Sequence, residues 1–260
     1  MKLGLCTIAY RNMDVREVIP HAARIGFEEI EIIGKQVEGK TDSELDSIRE
    51  CAVDHGLEIS GVAPYLWLTQ DEKLWRESMK IAERFTQIAR RLGARMIRTF
   101  TDSGPTGIGS DVATEAQWDI AVKSLQTITA NAPEIIFSVE THEKTLADNP
   151  ASALQLKERV GAGNLLFTYQ AFKGGDIIAD YEALKEHVRQ VHLNPHIGSK
   201  PDGDLDDCGV DYASLLQHLA VTGYGHSVAA EFCKEGEATW GRIQGAYDWV
   251  REQTNVPCRS

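Results

Sequence analysis

Short apolar runs alternate with longer segments of helical period along the whole of this 260-residue chain. The runs begin near Leu3, Glu28, Leu57, Arg95, Ile135, Leu165, Val188 and Val228, and each is followed by a helix candidate. Parallel strands need a helical crossover between them, and eight strand–helix units close most naturally into a ring. The expected fold is α/β: a single (β/α)8 TIM barrel formed by residues 1–260, with no linker or low-complexity tract to divide it.

The helical segments follow the 3.6-residue period. In the third, Leu74, Ile81, Phe85, Ile88 and Leu92 fall on one face; in the fourth, Trp118, Val122, Leu125 and Ile128 do so. Thr41 with Glu44 has capping-box spacing, Asn149–Pro150 is an N-cap and first-turn pair, Gly161 closes that helix, and Asp211 is placed to cap the seventh. The runs LLFTY and IIFSV are nearly continuous in apolar character, as buried parallel strands are, whereas an antiparallel sandwich would alternate. The Gly-rich stretch Ser103–Ser110 reads as a loop after the fourth strand.

With 39 acidic against 27 basic side chains, the net charge of −12 leaves no basic run to follow a phosphate backbone, so nucleic acid and anionic membrane are poor partners. MKLGLCTIAYRN turns polar too soon for an export signal, which places the protein in the cytoplasm. Five scattered cysteines (Cys6, Cys51, Cys208, Cys233 and Cys258) include no CxxC pair, so buried free thiols are expected rather than a disulfide framework or thiolate zinc site. Cys6 and Cys233 would approach each other if the first and last strands are neighbours.

Three polar residues stand at the ends of strands: Glu140 in IIFSVETH, His192 in VRQVHL and Glu231 in SVAAEF. Strand ends are where such a barrel keeps its chemistry. Two carboxylates and an imidazole at the mouth suit a hard or borderline divalent cation, Mn²⁺, Mg²⁺, Co²⁺ or Zn²⁺, and if each carboxylate faces one side of the carbon next to a carbonyl, one can remove a proton while the other returns it. His142 follows Glu140 by two residues and shares its direction in an extended strand, toward a substrate. Arg98 has two roles open to it, a substrate anion or an ion pair with Glu31 inside the barrel. Trp67, with Tyr65, follows the third strand where an aromatic ring can stack on a sugar, and His196 with Lys200 belongs to the loop after the seventh.

The order of GFEEIEI, LGARMIRTFT, SVETHEKTLAD, VRQVHL, CGVDYASLLQHL and GYGHSVAAEF resembles the xylose-isomerase-like barrels, which include sugar phosphate isomerases, ketose 3-epimerases and inosose dehydratases. The resemblance spans essentially the whole chain. It implies a metal held by residues at the ends of strands five to eight, with the two glutamates as acid/base pair: Glu140, His192 and Glu231 match. The sixth strand departs from the family's Asp-Pro-x-His, reading Gln170, Ala171, Phe172 and Lys173, and after His192 the family's Asp is replaced by Asn194 and Pro195. Gln170 is then the fourth ligand, a substrate hydrogen-bonding group or structural filler; no spacing separates these. A shell of Glu140, Gln170, His192 and Glu231 carries a formal charge of about −2 instead of about −3, so weaker binding of the ion, most naturally Mn²⁺, is expected. Lys173, near the family's His position, can supply positive charge toward substrate.

The resemblance implies a sugar isomerase or epimerase acting on a small keto-sugar or polyol derivative, with homo-oligomers common among such barrels. A dehydratase or lyase shares the same proton abstraction. A non-catalytic carbohydrate-binding barrel is the alternative suggested by the missing Asp. An endonuclease-like reading fits poorly with the acidic balance and only eight histidines.

Overall fold

A computed structural model of the protein describes residues 1–102, 107–201, 203–233 and 239–254. Its strands are β1 (Lys2–Cys6), β2 (Glu29–Ile33), β3 (Glu58–Ala63), β4 (Met96–Thr99), β5 (Ile136–Glu140), β6 (Leu165–Gln170), β7 (Val188–Leu193) and β8 (Ser227–Ala230). They pair in sequence order as a closed parallel barrel: β1 bonds β2 on one side (Cys6 opposite Glu31) and β8 on the other (Leu5 opposite Ala230). The helices that follow them are α1 (Val15–Ile25), α2 (Asp42–Asp54), α3 (Glu72–Leu92), α4 (Glu115–Asn131), α5 (Pro150–Val160), α6 (Ile177–Leu184), α7 (Tyr212–Val221) and α8 (Trp240–Thr254). The expected (β/α)8 TIM barrel is the fold observed.

The helices start and stop where local chemistry directs. Thr41 and Glu44 form the reciprocal capping box of α2, Asn149 accepts the Ser152 N–H ahead of Pro150, and Asp211 accepts the Ser214 N–H at 3.0 Å. Gly161 closes α5 at φ 68°, a left-handed conformation that costs glycine little. On α4 all four expected apolar residues are buried, whereas on α3 Leu74 and Ile81 are half-buried and the packed stripe is Ser78, Ala82, Phe85, Ile88, Ala89 and Leu92.

The apolar core is the sleeve between strands and helices. Leu5, Ile30, Val62, Ile97, Phe137, Phe167, Val191 and Val228 from the strands pack there with Val18, Ile48, Phe85, Leu125, Leu156, Leu215 and Ile243 from the helices. Each such side chain contributes about 1.5–3 kcal/mol when fully buried. Successive strand residues point to opposite faces, so the positions between these core residues face inward. Several of them are polar: the Ser138 and Thr168 hydroxyls bond at 2.7 Å, with the Gln190 carboxamide 3.5 Å beyond. The apolar runs owe their character to the helix side of the sheet. The barrel's inner side is left for charged groups.

The stretch Ser103–Ser110 lies only partly within the described residues; at its end Ser110 donates through its N–H and Oγ to Asp148. Among the described residues no helix is long and apolar enough to cross a membrane.

Candidate active site

At the C-terminal end of the barrel, side chains from six strands and from the residue after β8 meet: Cys6, Glu31, Arg98, Glu140, Gln170, His192 and Glu231, all buried. Glu140 and Gln170 are the last residues of β5 and β6, His192 is one residue short of the end of β7, and Glu231 directly follows β8. Register brings Gln170 opposite His192.

Arg98 is 2% exposed, and its guanidinium spans the interior. Nε donates to Glu31 Oε1 at 2.7 Å, Nη1 donates to Glu140 Oε2, and Nη2 lies 4.0 Å from Glu231 Oε1. Of the two roles open to Arg98, the pairing with Glu31 is the one its side chain makes. Burial alone would raise the Glu31 carboxyl, but the Arg98 and His192 charges outweigh it and hold Glu31 well below the usual carboxylate range. Glu231 is likewise lowered, to about 2, because His192 and Arg98 overcome its burial.

His192 Nε2 lies 3.4 Å from Glu31 Oε2. Its Nδ1 faces Glu231 Oε2 at 3.3 Å and Glu140 Oε1 at 3.7 Å, yet has no hydrogen-bond partner. Burial works to lower the imidazole's pKa, but Glu231 and Glu31 outweigh it and raise it well above the ordinary value, so proton and cation compete for Nδ1. Gln170 Oε1 accepts from Asn194 Nδ2 at 2.9 Å and lies 3.3 Å from both Glu140 Oε1 and Glu231 Oε2.

These atoms form one donor set. Ligands bound about 2.1–2.2 Å from a divalent ion at angles of about 90–109° stand about 3.0–3.6 Å apart. The spacings of 3.3–3.7 Å in this cluster lie at the upper end of that range and just beyond it, and the ligand atoms of Glu140, His192 and Glu231 all lie within 4.8 Å of one another. An imidazole nitrogen without a hydrogen-bond partner, set against two carboxylate oxygens, is electrically consistent with a cation between them. The residues fit a divalent metal, with Glu31 on the far nitrogen of the histidine as the orienting carboxylate.

Above the cluster opens a cavity of about 380 Å³, with Arg98, Glu140, Gln170, Asn194 and Glu231 in its lining. One wall is aromatic: the Tyr65 and Phe100 rings stack at 5.7 Å, and His142 meets Phe100 edge-on at 5.2 Å. Asp102, tied to Thr69 and with its pKa raised by burial, lines another side with Lys144, Ile8 and Cys233. Cys6 donates to Glu231 Oε1 at 3.7 Å, and burial pushes the Cys233 thiol up to about 11; both are free thiols, and Cys258 lies outside the described residues.

His142 therefore reaches the cavity with Glu140. Lys173, Trp67 and His196 are not among its lining residues. Lys173 is exposed in a turn closed by the Gly175 N–H on the Phe172 carbonyl. The Trp67 backbone N–H donates to Ser78 Oγ on α3 at 2.8 Å, and Tyr65 is the residue of this segment that lines the cavity. His196 contributes its backbone N–H, which donates to Asn194 Oδ1 at 2.9 Å. Phe100, Asn194 and Cys233 were not singled out as site residues by the sequence reading, although each lies two residues beyond one that was: Arg98, His192 and Glu231.

Fold and site together define a parallel eight-stranded barrel with a Glu–His–Glu cluster, able to hold a metal, at its C-terminal mouth. The chain belongs to the xylose isomerase-like TIM barrel family, whose sequence profile matches residues 19–253. It is 24% identical over 202 residues to an L-ribulose 3-epimerase of Mesorhizobium japonicum, a match covering 73% of this chain and 67% of that protein. Its fold superposes on the D-psicose 3-epimerase of Clostridium cellulolyticum H10 with a TM-score of 0.81 at 16% identity, covering 98% of this chain and 100% of the other. A probable 3-DHS dehydratase of Bacillus anthracis gives 0.80 at 21% identity, covering 96% and 99%. At such identities these two likenesses bear on the fold.

Proposed function

We propose that this protein is a cytoplasmic sugar isomerase or epimerase that moves a proton next to a carbonyl of a small keto-sugar or polyol derivative, assisted by a divalent metal, with Mn²⁺ favoured. The observation that carries the reading is the convergence of Glu140, His192 and Glu231 on one cavity with an aromatic wall. Glu140, His192, Glu231 and Gln170 would hold the ion, which when bound supplies the Lewis acidity that makes the neighbouring C–H removable.

The chain's own groups do the rest. Arg98 engages Glu140 Oε2 and so leaves Oε1 to face the cluster, while Asn194 and Cys6 hold the two oxygens of Glu231. One carboxylate takes the proton from one face of the substrate carbon, and the other returns a proton on the opposite face. Tyr65 and Phe100 offer a flat apolar surface to the C–H face of a sugar. The cavity's size admits a monosaccharide.

The test is solvent-deuterium exchange with a panel of ketoses, inososes and 3-keto-glycosides. Deuterium should enter the carbon beside the carbonyl, and Glu140→Gln and Glu231→Gln should each slow this by about 10²–10⁴-fold. A fully active double variant ends the proposal. Binding without exchange at saturation would identify a carbohydrate-binding barrel, and loss of water from the product would identify a lyase.

A further inference from the structure

We propose that Asn194 is a positioning residue that selects which end of the Gln170 carboxamide meets the metal, so the chain's two departures from the family pattern are one coupled change. This rests on the metal-site reading above.

A carboxamide has two ends of nearly equal size and opposite hydrogen-bonding character. Turned with its nitrogen inward, Gln170 would donate to Glu140 Oε1 and Glu231 Oε2, each 3.3 Å away, and would close the site to a cation. That arrangement satisfies both carboxylates and also the other end of the carboxamide, whose nitrogen otherwise faces only donors, so a metal-binding site needs a group that opposes it. The opposing group is Asn194 Nδ2, 2.9 Å from the same Gln170 atom, which would then face a second NH₂.

Asn194 does not turn to accommodate it. Its Oδ1 accepts the His196 backbone N–H at 2.9 Å, and a backbone N–H can only donate. The Tyr212 hydroxyl clamps the Asn194 backbone, accepting its N–H at 3.0 Å and donating to its carbonyl at 2.9 Å. The two hydrogens of Nδ2 are left for Gln170 Oε1 at 2.9 Å and Glu231 Oε2 at 2.8 Å. Asn194 thus opposes the turned arrangement by offering an N–H to a carboxamide oxygen on the cluster side, where a cation would complete that oxygen's coordination.

An aspartate at 170 presents two equivalent oxygens and needs no such selector. An aspartate at 194 would have no hydrogen to donate and would leave Gln170 free to turn. Glutamine and asparagine at these positions belong together for that reason.

The experiment is a double-mutant cycle read as the Mn²⁺ dissociation constant of wild type, Asn194→Ala, Gln170→Asp and the double variant. Asn194→Ala should weaken binding by about 10–100-fold in the wild-type background, the range for loss of a group that orients a ligand. In the Gln170→Asp background the same change should cost about threefold or less, because only the contact with Glu231 is then lost. Equal factors in both backgrounds overturn the inference while leaving the metal site standing. Absence of Mn²⁺ binding by wild type overturns both. Should the alanine variant not fold, Asn194→Leu, of similar volume and without a donor, carries the same expectation.

Discussion

Arg98 is the residue whose removal most directly tests this account of the barrel interior. It is 2% exposed, and Glu31 and Glu140 both depend on it. Arg98→Met keeps most of the side-chain length and removes the charge. Breaking a buried ion pair from one side costs about 3–5 kcal/mol, because the surviving charge stays out of water. His192 still lies against Glu31 in the variant, so the figure for one pair is the appropriate one. For a chain of this size each kcal/mol lowers Tm by about 2–4 °C, so metal-stripped Arg98→Met should melt roughly 6–20 °C below wild type at neutral pH. The pH dependence identifies the cause. The Glu31 pKa is lowered in the folded protein, so its contribution is full above its ordinary value of 4.5 and is lost as pH falls through the lowered one. In the variant Glu31 loses its principal counter-charge and takes up a proton more readily, so the gap between the two melts should narrow in acid. Adding Glu31→Gln should also close much of it. A drop under about 2 °C, or a gap indifferent to pH, would refute the reasoning.

Mn²⁺ affinity should rise with pH, by about tenfold per unit while His192 remains protonated, because the ion displaces a proton from Nδ1; a flat profile by Mn²⁺ EPR would count against His192 as a ligand. Tyr65→Ala should raise KM by about tenfold with little change in kcat, the worth of one aromatic face, and steady-state kinetics on the substrate found by the exchange panel would measure it. Asp14 caps α1 by accepting the Arg16 N–H at 2.9 Å, and the Arg16 side chain lowers its pKa to about 2. Asp14→Ala should cost about 1 kcal/mol above pH 3.8, with the difference in melting shrinking as pH falls toward 2; an unchanged melt at neutral pH would show that the cap carries no weight.

The barrel was legible because its cause is periodic. Eight apolar runs and eight amphipathic segments leave few other closures, and the caps at Thr41, Asn149 and Asp211 are local hydrogen bonds between near neighbours. Much of the site was legible by the same two-residue period, though the period was applied only at Glu140 and His142. Continued past the other strand ends, it leads from Ala63 to Tyr65, from Arg98 to Phe100, from His192 to Asn194 and from Glu231 to Cys233, and the second member of each pair lines the cavity. The period carries no further at Trp67, and neither Trp67 nor Lys173 is among the cavity's lining residues. The amide geometry of Gln170 and Asn194 depends on the His196 N–H and the Tyr212 hydroxyl, groups whose relation to the site only the fold reveals.

The charge count also changes once the interior is known. The sequence expectation of weak metal binding took four residues with a charge of about −2. Glu31 and Arg98 lie beneath them and cancel, so that sum holds for the whole buried cluster when His192 is neutral. A divalent ion then brings the interior to zero, whereas an aspartate at 170 would leave it one negative charge in excess. Gln170→Asp should therefore do two opposite things. Without metal it adds an anion to a site already short of positive charge, and the protein should melt below wild type. With saturating Mn²⁺ the extra carboxylate becomes a stronger ligand, and the order of the two melts should reverse. A variant more stable than wild type in both states, or in neither, would mean that electroneutrality of the buried cluster does not govern what residue 170 contributes.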